Sequence, residues 1–239
     1  MNPSSFVNSF PSGANAAAAD ASSVNLRVGG DRRKQRSRRK EARPSELAAA
    51  ALELFVERGF AATRLDDVAA SAGVSKGTLY LYFNSKEALF KAVVQEAIVP
   101  ELIAAEQFMA NHRGSAAEVL RELTFFWWRH SGATRLAGVP KLMIAESGNF
   151  PELAKYYHDH VMMRGRALLG AVLARGIESG EFRRVDLETA IDLIIAPVMM
   201  LHVWRYSVCA HEREIDAEAY LTMHCDMIIR GFATEGNPA

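Results

Sequence analysis

Residues 63–86, TRLDDVAASAGVSKGTLYLYFNSK, carry the pattern that decides the fold. They fit two short helices, at about 63–71 and 75–82, joined by a tight turn. Two helices cross steeply only where small residues let their backbones approach. Ala69 suits the crossing point, Gly73 the positive φ that ends the first helix, and Val74 and Leu79 the space between the helices. Thr63 and Ser75 stand where a hydroxyl caps a helix by accepting an orphan backbone N–H. Gly77 falls inside the second helix at a cost of about 1 kcal/mol relative to alanine. Close approach to a sugar-phosphate backbone would explain it better than helix stability does. An ordinary helical hairpin with a glycine stop is the competing reading.

The elements Thr63, Val68-Ala69, Ala72-Gly73-Val74-Ser75, Gly77, Leu79-Tyr80, Tyr82-Phe83, Ser85-Lys86 and Leu89 resemble the DNA-binding signature of the TetR family (AcrR-like) of bacterial regulators. The similarity covers roughly residues 45–91, with Val68 where the family more often has isoleucine. It implies an all-α fold: an N-terminal three-helix helix-turn-helix DNA-binding domain plus a larger helical domain for ligand binding and dimerisation. It also implies that the second helix enters the major groove of double-stranded operator DNA and presents Lys76, Gly77, Thr78 and Tyr80. Lys76 suits guanine acceptors and Thr78 a base edge or thymine methyl, and both suit phosphate equally. By the same resemblance Tyr80 and Tyr82 hydrogen-bond phosphates and Lys86 adds charge near a helix N-terminus. Thr63 and Arg64 contact the DNA backbone from the preceding helix. Leu79 and Phe83 read as core.

The zero net charge hides an asymmetry. Residues 27–43 hold nine basic side chains against Asp31 and Glu41, a net of +7, whereas residues 44–91 carry −1. A basic arm on a mildly acidic body fits a protein that meets nucleic acid at one end, although such runs are also solvated tails. Residues 1–26 lack the apolar segment of a signal peptide, and Leu193–Trp204, with Pro197 and His202, is too short to span a bilayer. Two cysteines, Cys209 and Cys225, fit a reducing compartment. The expectation is a cytoplasmic protein with no membrane contact.

Helical periodicity dominates beyond the signature. Pro44-Ser45 reads as the start of the first helix and Arg58-Gly59 as its stop, while Asn84 caps a fourth helix with Glu87 reaching back. Pro100 interrupts that helix. Further helices fall at about 115–131, 139–147, 151–178, 186–207 and 216–232, with Asp186 and Asp216 as caps. The domain reading is a disordered tail with a basic arm (1–43), a DNA-binding domain (44–91), and an effector-binding and dimerisation domain (92–239).

One head covers too little DNA for useful specificity, so a homodimer on a palindromic site is expected. Its interface falls on the helices near 186–207 (Leu187, Ala190, Ile191, Ile194, Ile195, Val198, Met199) and 216–232 (Ala219, Tyr220, Met223, Met227, Ile228). The body is rich in aromatic residues and methionine, which suit an adaptable apolar pocket and also plain core. Phe125, Trp128, Met143, Tyr157, Met163 and Met199 are candidate walls for a small hydrophobic or amphipathic effector, with Arg129, His130 and His202 as polar anchors. No cofactor or enzymatic motif is present. His158-Asp159-His160 lacks a third ligand at a persuasive spacing, and there is no nucleophile elbow, phosphate loop or HExxH. The functional expectation is a repressor released by its effector. The alternatives are an activator, or a DNA-binding regulator without a small ligand and controlled by a partner protein.

Overall fold

The computed structural model describes residues 30–206 and 215–234, with side chains at 43–205 and 215–234. The described residues form α1 (Gly30–Arg58), α2 (Leu65–Ser71), α3 (Lys76–Tyr80), α4 (Lys86–Val93), α5 (Val99–Asn111), α6 (Ala116–Trp127), α7 (Gly138–Glu146), α8 (Pro151–Tyr157), α9 (Met163–Glu178), α10 (Leu187–Tyr206) and α11 (Ala217–Phe232). Among them there is no strand, only an isolated antiparallel bridge between Phe182 and Ala233. The chain divides into two compact units after Lys40. Apart from the start of α1, everything below concerns the second unit, and the basic arm's side chains before Arg43 lie outside the described residues, as does Cys209.

Several helix ends differ from the sequence reading. The first helix starts at Gly30 and Pro44 lies inside it, because the Arg, Lys, Gln and Ala residues upstream are good helix formers. Asn84 does not cap α4. Ser85 does, its hydroxyl accepting from Ala88 N at 3.1 Å. Asp186 and Asp216 cap as expected, accepting from Thr189 N at 2.9 Å and Ala219 N at 3.0 Å. The fourth helix is interrupted just before Pro100, as expected. A π turn, Val94–Ile98, precedes it, and α5 then runs on with the proline in its first turn, where a missing N–H does least harm.

Three apolar cores hold the unit together, the smallest made by Trp128, Val198, Leu201 and Leu221. Around the helix-turn-helix, Phe55, Phe60, Leu79, Leu89 and Phe90 are each no more than 1% exposed. Phe60 meets Phe90 edge-on at 6.0 Å and Phe150 at 4.7 Å, so this core continues into α7 and α8 through Leu142, Met143 and Leu153. Burying one such ring stabilises by about 1.5–3 kcal/mol. The second core joins α6, α9, α10 and α11 through Leu120, Leu173, Ile191, Ile194, Cys225 and Phe232.

Helix α10 is the one place where hydropathy misleads. Its segment Leu187–Arg205 has a mean hydropathy of 1.5 and is long and apolar enough to cross a membrane by length and composition, where the sequence reading counted only Leu193–Trp204. A core helix passes the same test. Ala190, Ile191, Ile194, Val198 and Leu201 are buried, in a helix packed against α7, α9 and α11. Of the residues expected at a dimer interface, Ala190, Ile191, Ile194 and Val198 of α10 are therefore turned inward, whereas Met223 and Met227 of α11 are exposed. The large apolar side chains that α10 leaves exposed are Leu193 (56%) and Met200 (43%).

Candidate functional site

The reading head is assembled by backbone contacts around α2 and α3. Gly73 has φ +65°, the left-handed turn that the sequence requires, and Ala69 and Leu79 are buried at the crossing. Ser75 caps α3 by accepting from Thr78 N at 3.1 Å, and its hydroxyl also meets the Thr78 hydroxyl at 2.8 Å. Lys76 lies at the exposed start of α3, its Nζ 2.8 Å from an Asp66 carboxylate oxygen. That hydrogen bond raises the lysine's pKa. An exposed pair of this kind is readily exchanged for another anion. Tyr80 is 46% exposed, and Leu81, which the sequence reading passed over, is 82% exposed beside it. At Gly77 an added Cβ would meet nothing nearer than the Ser75 hydroxyl at 3.9 Å. Nothing within the described protein therefore requires glycine there.

One expected DNA contact, Thr63, is corrected, and Lys86 proves to have a structural role as well. Thr63 is 2% exposed and does not cap α2, whose N-cap is Arg64 without a side-chain bond. Its hydroxyl donates to Gly59 O at 2.7 Å and also lies 3.2 Å from Leu54 O, locking the end of α1 instead of facing phosphate. Lys86 donates from Nζ to Phe60 O at 2.6 Å and Ala61 O at 2.9 Å, and sits 4.5 Å from the centre of the Phe60 ring. Burial lowers its pKa. Both residues hold the α1–α2 connection in place. Sequence shows the residue types but not that these carbonyls need donors.

The same connection is tied to the body. Glu146, at the end of α7 and 8% exposed, accepts from Ala61 N at 3.0 Å. At the other end of α7, Gly138 lies so close to Val56 of α1 that a Cβ would overlap the valine side chain, and Arg135 pairs with Glu53 at 3.0 Å. Gln95 donates to the Tyr156 hydroxyl at 2.7 Å, joining the π turn after α4 to α8. Neither Glu146 nor Gln95 stood out in the sequence.

Inside the body is a cavity of about 250 Å³ with almost wholly apolar walls. Three π turns contribute to it: Val94–Ile98 through Ile98, Trp128–Gly132 through His130 and Ser131, and His158–Met162 through Val161 and Met162. The second turn folds the Trp128 ring over Gly132, where a Cβ would collide with it. Tyr157 also lines the cavity, and burial raises its phenol pKa to about 12. The Phe126 ring stacks on His130 at 4.1 Å, and His130 Nδ1 is 2.9 Å from Glu101.

Of the expected walls, Tyr157 and Met199 line this cavity, as does the anchor His130. The others do not. Phe125 and Trp128 point into the core against α10 and α11, and Phe126 and Trp127 take their place. Met143 belongs to the core shared with the head. Arg129 is exposed and Met163 is 47% exposed. His202 is fully buried beside Trp127, at 4.7 Å, and Trp128, at 5.6 Å. Neither of its ring nitrogens reaches full hydrogen-bond geometry. Burial pushes its pKa down to about 4, the Val198 carbonyl one turn back opposing part of the shift. Elsewhere, Asp159 binds Lys155 at 2.7 Å and His158 at 3.0 Å on an exposed turn, and burial raises the thiol pKa of Cys225.

Comparison with known proteins gives this geometry a context. Residues 47–93 match the family model described as bacterial regulatory proteins, tetR family, and residues 113–220 match the Tetracyclin repressor-like C-terminal domain. The chain is 30% identical over 166 residues to the uncharacterized HTH-type transcriptional regulator YdeS of Bacillus subtilis, a match spanning 67% of this chain and 78% of that protein. It is 31% identical over 170 residues to the HTH-type transcriptional regulator RutR of Escherichia coli K12, spanning 68% and 74%. Among solved structures, FadR of Bacillus subtilis in complex with stearoyl-CoA shares the fold with a TM-score of 0.67 at 23% identity, over 79% of this chain and 98% of that one. A regulator from Mesorhizobium loti gives 0.63 at 22% identity, over 82% and 96%. With its helix-turn-helix head and larger helical body, the chain belongs to the TetR family of bacterial transcriptional regulators, DNA-binding proteins and not enzymes.

Proposed function

We propose that the protein is a homodimeric repressor that holds a palindromic operator and releases it when a small hydrophobic or amphipathic molecule fills the body cavity. The convergence of three π turns on one apolar cavity carries this reading. Such turns widen a helix locally and recur at functional sites, and apolar concavities with a few polar groups are the usual form of a ligand site. FadR of Bacillus subtilis, solved with stearoyl-CoA, is a precedent for a small-molecule complex on this fold.

On the DNA side, Lys76, Thr78 and Tyr80 meet base edges or phosphates. Gly77 lets the sugar-phosphate backbone approach, and Tyr82 and Arg64 flank it. The exposed Leu193, Met200, Met223 and Met227 form the apolar strip through which α10 and α11 pair with a second copy. Transmission runs along α7, whose first turn contributes Val139 and Pro140 to the cavity and whose last residue, Glu146, holds the Ala61 N–H of the head. A ligand that displaces the start of α7, or tilts α4 against α8, changes the spacing of the two heads.

The test is a titration of the full chain on its own operator, located by genome-wide mapping of bound sites, with apolar compounds suggested by the neighbouring genes. Release by a compound without a second protein is the expected result. Operator should then weaken compound binding by the same factor, since coupling is reciprocal. Release that requires a partner protein, or independent binding of DNA and compound, would overturn the proposal.

A further inference from the structure

One buried group in the body has no partner. His202 is 0% exposed, and its ring nitrogens are the only buried side-chain polar atoms among the described residues without a full hydrogen bond. Such a nitrogen has lost its hydration and gained nothing in exchange. Its place on α10 adds to this. Ile194, Ile195, Val198 and Met199 line the cavity, and His202 continues their row, four residues after Val198 and three after Met199 on the same helical face. A single side chain parts it from the cavity. Trp127, half-buried, lines that space and stands edge-on to the imidazole at 4.7 Å. Trp128 closes the other side at 5.6 Å.

Burial keeps the ring neutral, and the Val198 carbonyl one turn back favours a proton on the nitrogen that faces it. Arg205 also disfavours a second positive charge there. With the proton assigned to the Val198 side, the other nitrogen can only accept. It calls for a donor. An uncharged hydroxyl leaves water for almost wholly apolar walls at far less cost than an ammonium does. Resting on the effector reading above, we propose that the effector is an uncharged apolar alcohol or phenol that reaches past the Trp127 indole and donates its hydroxyl hydrogen bond to His202. Its apolar body lies along Ile195, Val198 and Met199.

The test uses matched probes on the full-length protein at pH 7.5: 3-phenylpropan-1-ol, octan-1-ol and 4-propylphenol, each against its own methyl ether, which keeps the apolar body and loses the donor. Binding is read by calorimetry. In the pairs that bind, the hydroxyl compound should bind about tenfold or more tighter than its ether. His202→Leu should remove that preference while leaving the ether's affinity within about twofold. If His202→Leu does not fold, the unaltered protein with 15N-labelled histidine serves instead. The ring still neutral at pH 5 is His202, and the hydroxyl probes should shift its unprotonated nitrogen while the ethers do not. Equal binding of alcohol and ether, a preference that survives His202→Leu, or a His202 resonance that the hydroxyl does not move overturns the assignment and leaves the effector reading standing. Failure of every pair to bind also overturns it, and the effector reading is then decided by the operator titration alone.

Discussion

In the head, buried and half-buried polar groups are joined to backbone across elements: Thr63 to Leu54 and Gly59, Lys86 to Phe60 and Ala61, Glu146 to Ala61. In the body, the buried His202 lies between two tryptophans without a full hydrogen bond, and a cavity of about 250 Å³ stands open beside them. A surface that must match a DNA groove needs its backbone fixed, and cross-element hydrogen bonds fix it. A ligand site needs space and alternative packings, and apolar contacts allow both because they have little directionality. The two regions therefore should respond differently to the same kind of change.

The largest expected effect is in the head. Phe60→Ala removes a fully buried ring that meets Phe55, Phe90 and Phe150, and should destabilise the chain by about 3–5 kcal/mol. Urea unfolding followed by circular dichroism checks this. A loss below about 1 kcal/mol would mean that the aromatic cluster does not carry the core.

Next is a pH effect confined to the body, since all seven histidines lie beyond residue 111. His202 has a folded pKa of about 4, below the ordinary value of about 6.5. The unfolded chain therefore binds the proton first. The neutral ring's contribution is complete above pH 6.5 and is lost as pH falls towards 4, amounting to about 3 kcal/mol. His202→Leu should flatten stability against pH in that window. An unchanged slope in urea titrations at pH 4.5 and 7.5 would place the proton uptake elsewhere.

Between the two regions, Glu146→Ala leaves the Ala61 N–H without its carboxylate acceptor, a cost of about 1–3 kcal/mol. Its sharper signature is in coupling. Operator and effector should each still bind, while the factor by which one weakens the other shrinks. Full coupling in the variant would remove α7 from the transmission path.

How much of this could be read in the sequence follows the same division. In the head, local rules were enough: Gly73, Ala69, Leu79 and Ser75 stand where turn, crossing and cap require them. The misassigned head residue, Thr63, and the unforeseen structural bonds of Lys86 both involve carbonyls brought near only by folding. In the body, helix positions were legible from caps such as Asp186 and Asp216, but the direction of side chains was not. Four consecutive aromatics, 125–128, have no helical phase of their own. The π turn that begins at Trp128 also breaks the regular spacing that would have assigned one. The outward row of α10 was missed for a related reason, since a helix apolar on nearly every side does not announce which face is covered.

Two glycines offer the smallest perturbation and the cleanest contrast. Gly77 in α3 and Gly165 in α9 both have open room for a methyl group, with nothing closer than 3.9 Å at the first and nothing within 4 Å at the second. Alanine at either position should stabilise its helix, by up to about 1 kcal/mol. The functional consequences should part. At Gly77 the methyl group projects from the start of the reading helix, so Gly77→Ala should weaken operator binding while sparing effector binding. Gly165 lines the cavity, so Gly165→Ala should narrow it and weaken effector binding while leaving DNA affinity intact. Thermal melts, operator anisotropy and probe calorimetry on both variants decide the matter. If Gly77→Ala binds operator as well as the parent, the empty space at α3 is not where the DNA backbone comes close. If Gly165→Ala leaves every probe's affinity unchanged, the cavity is not where the effector sits.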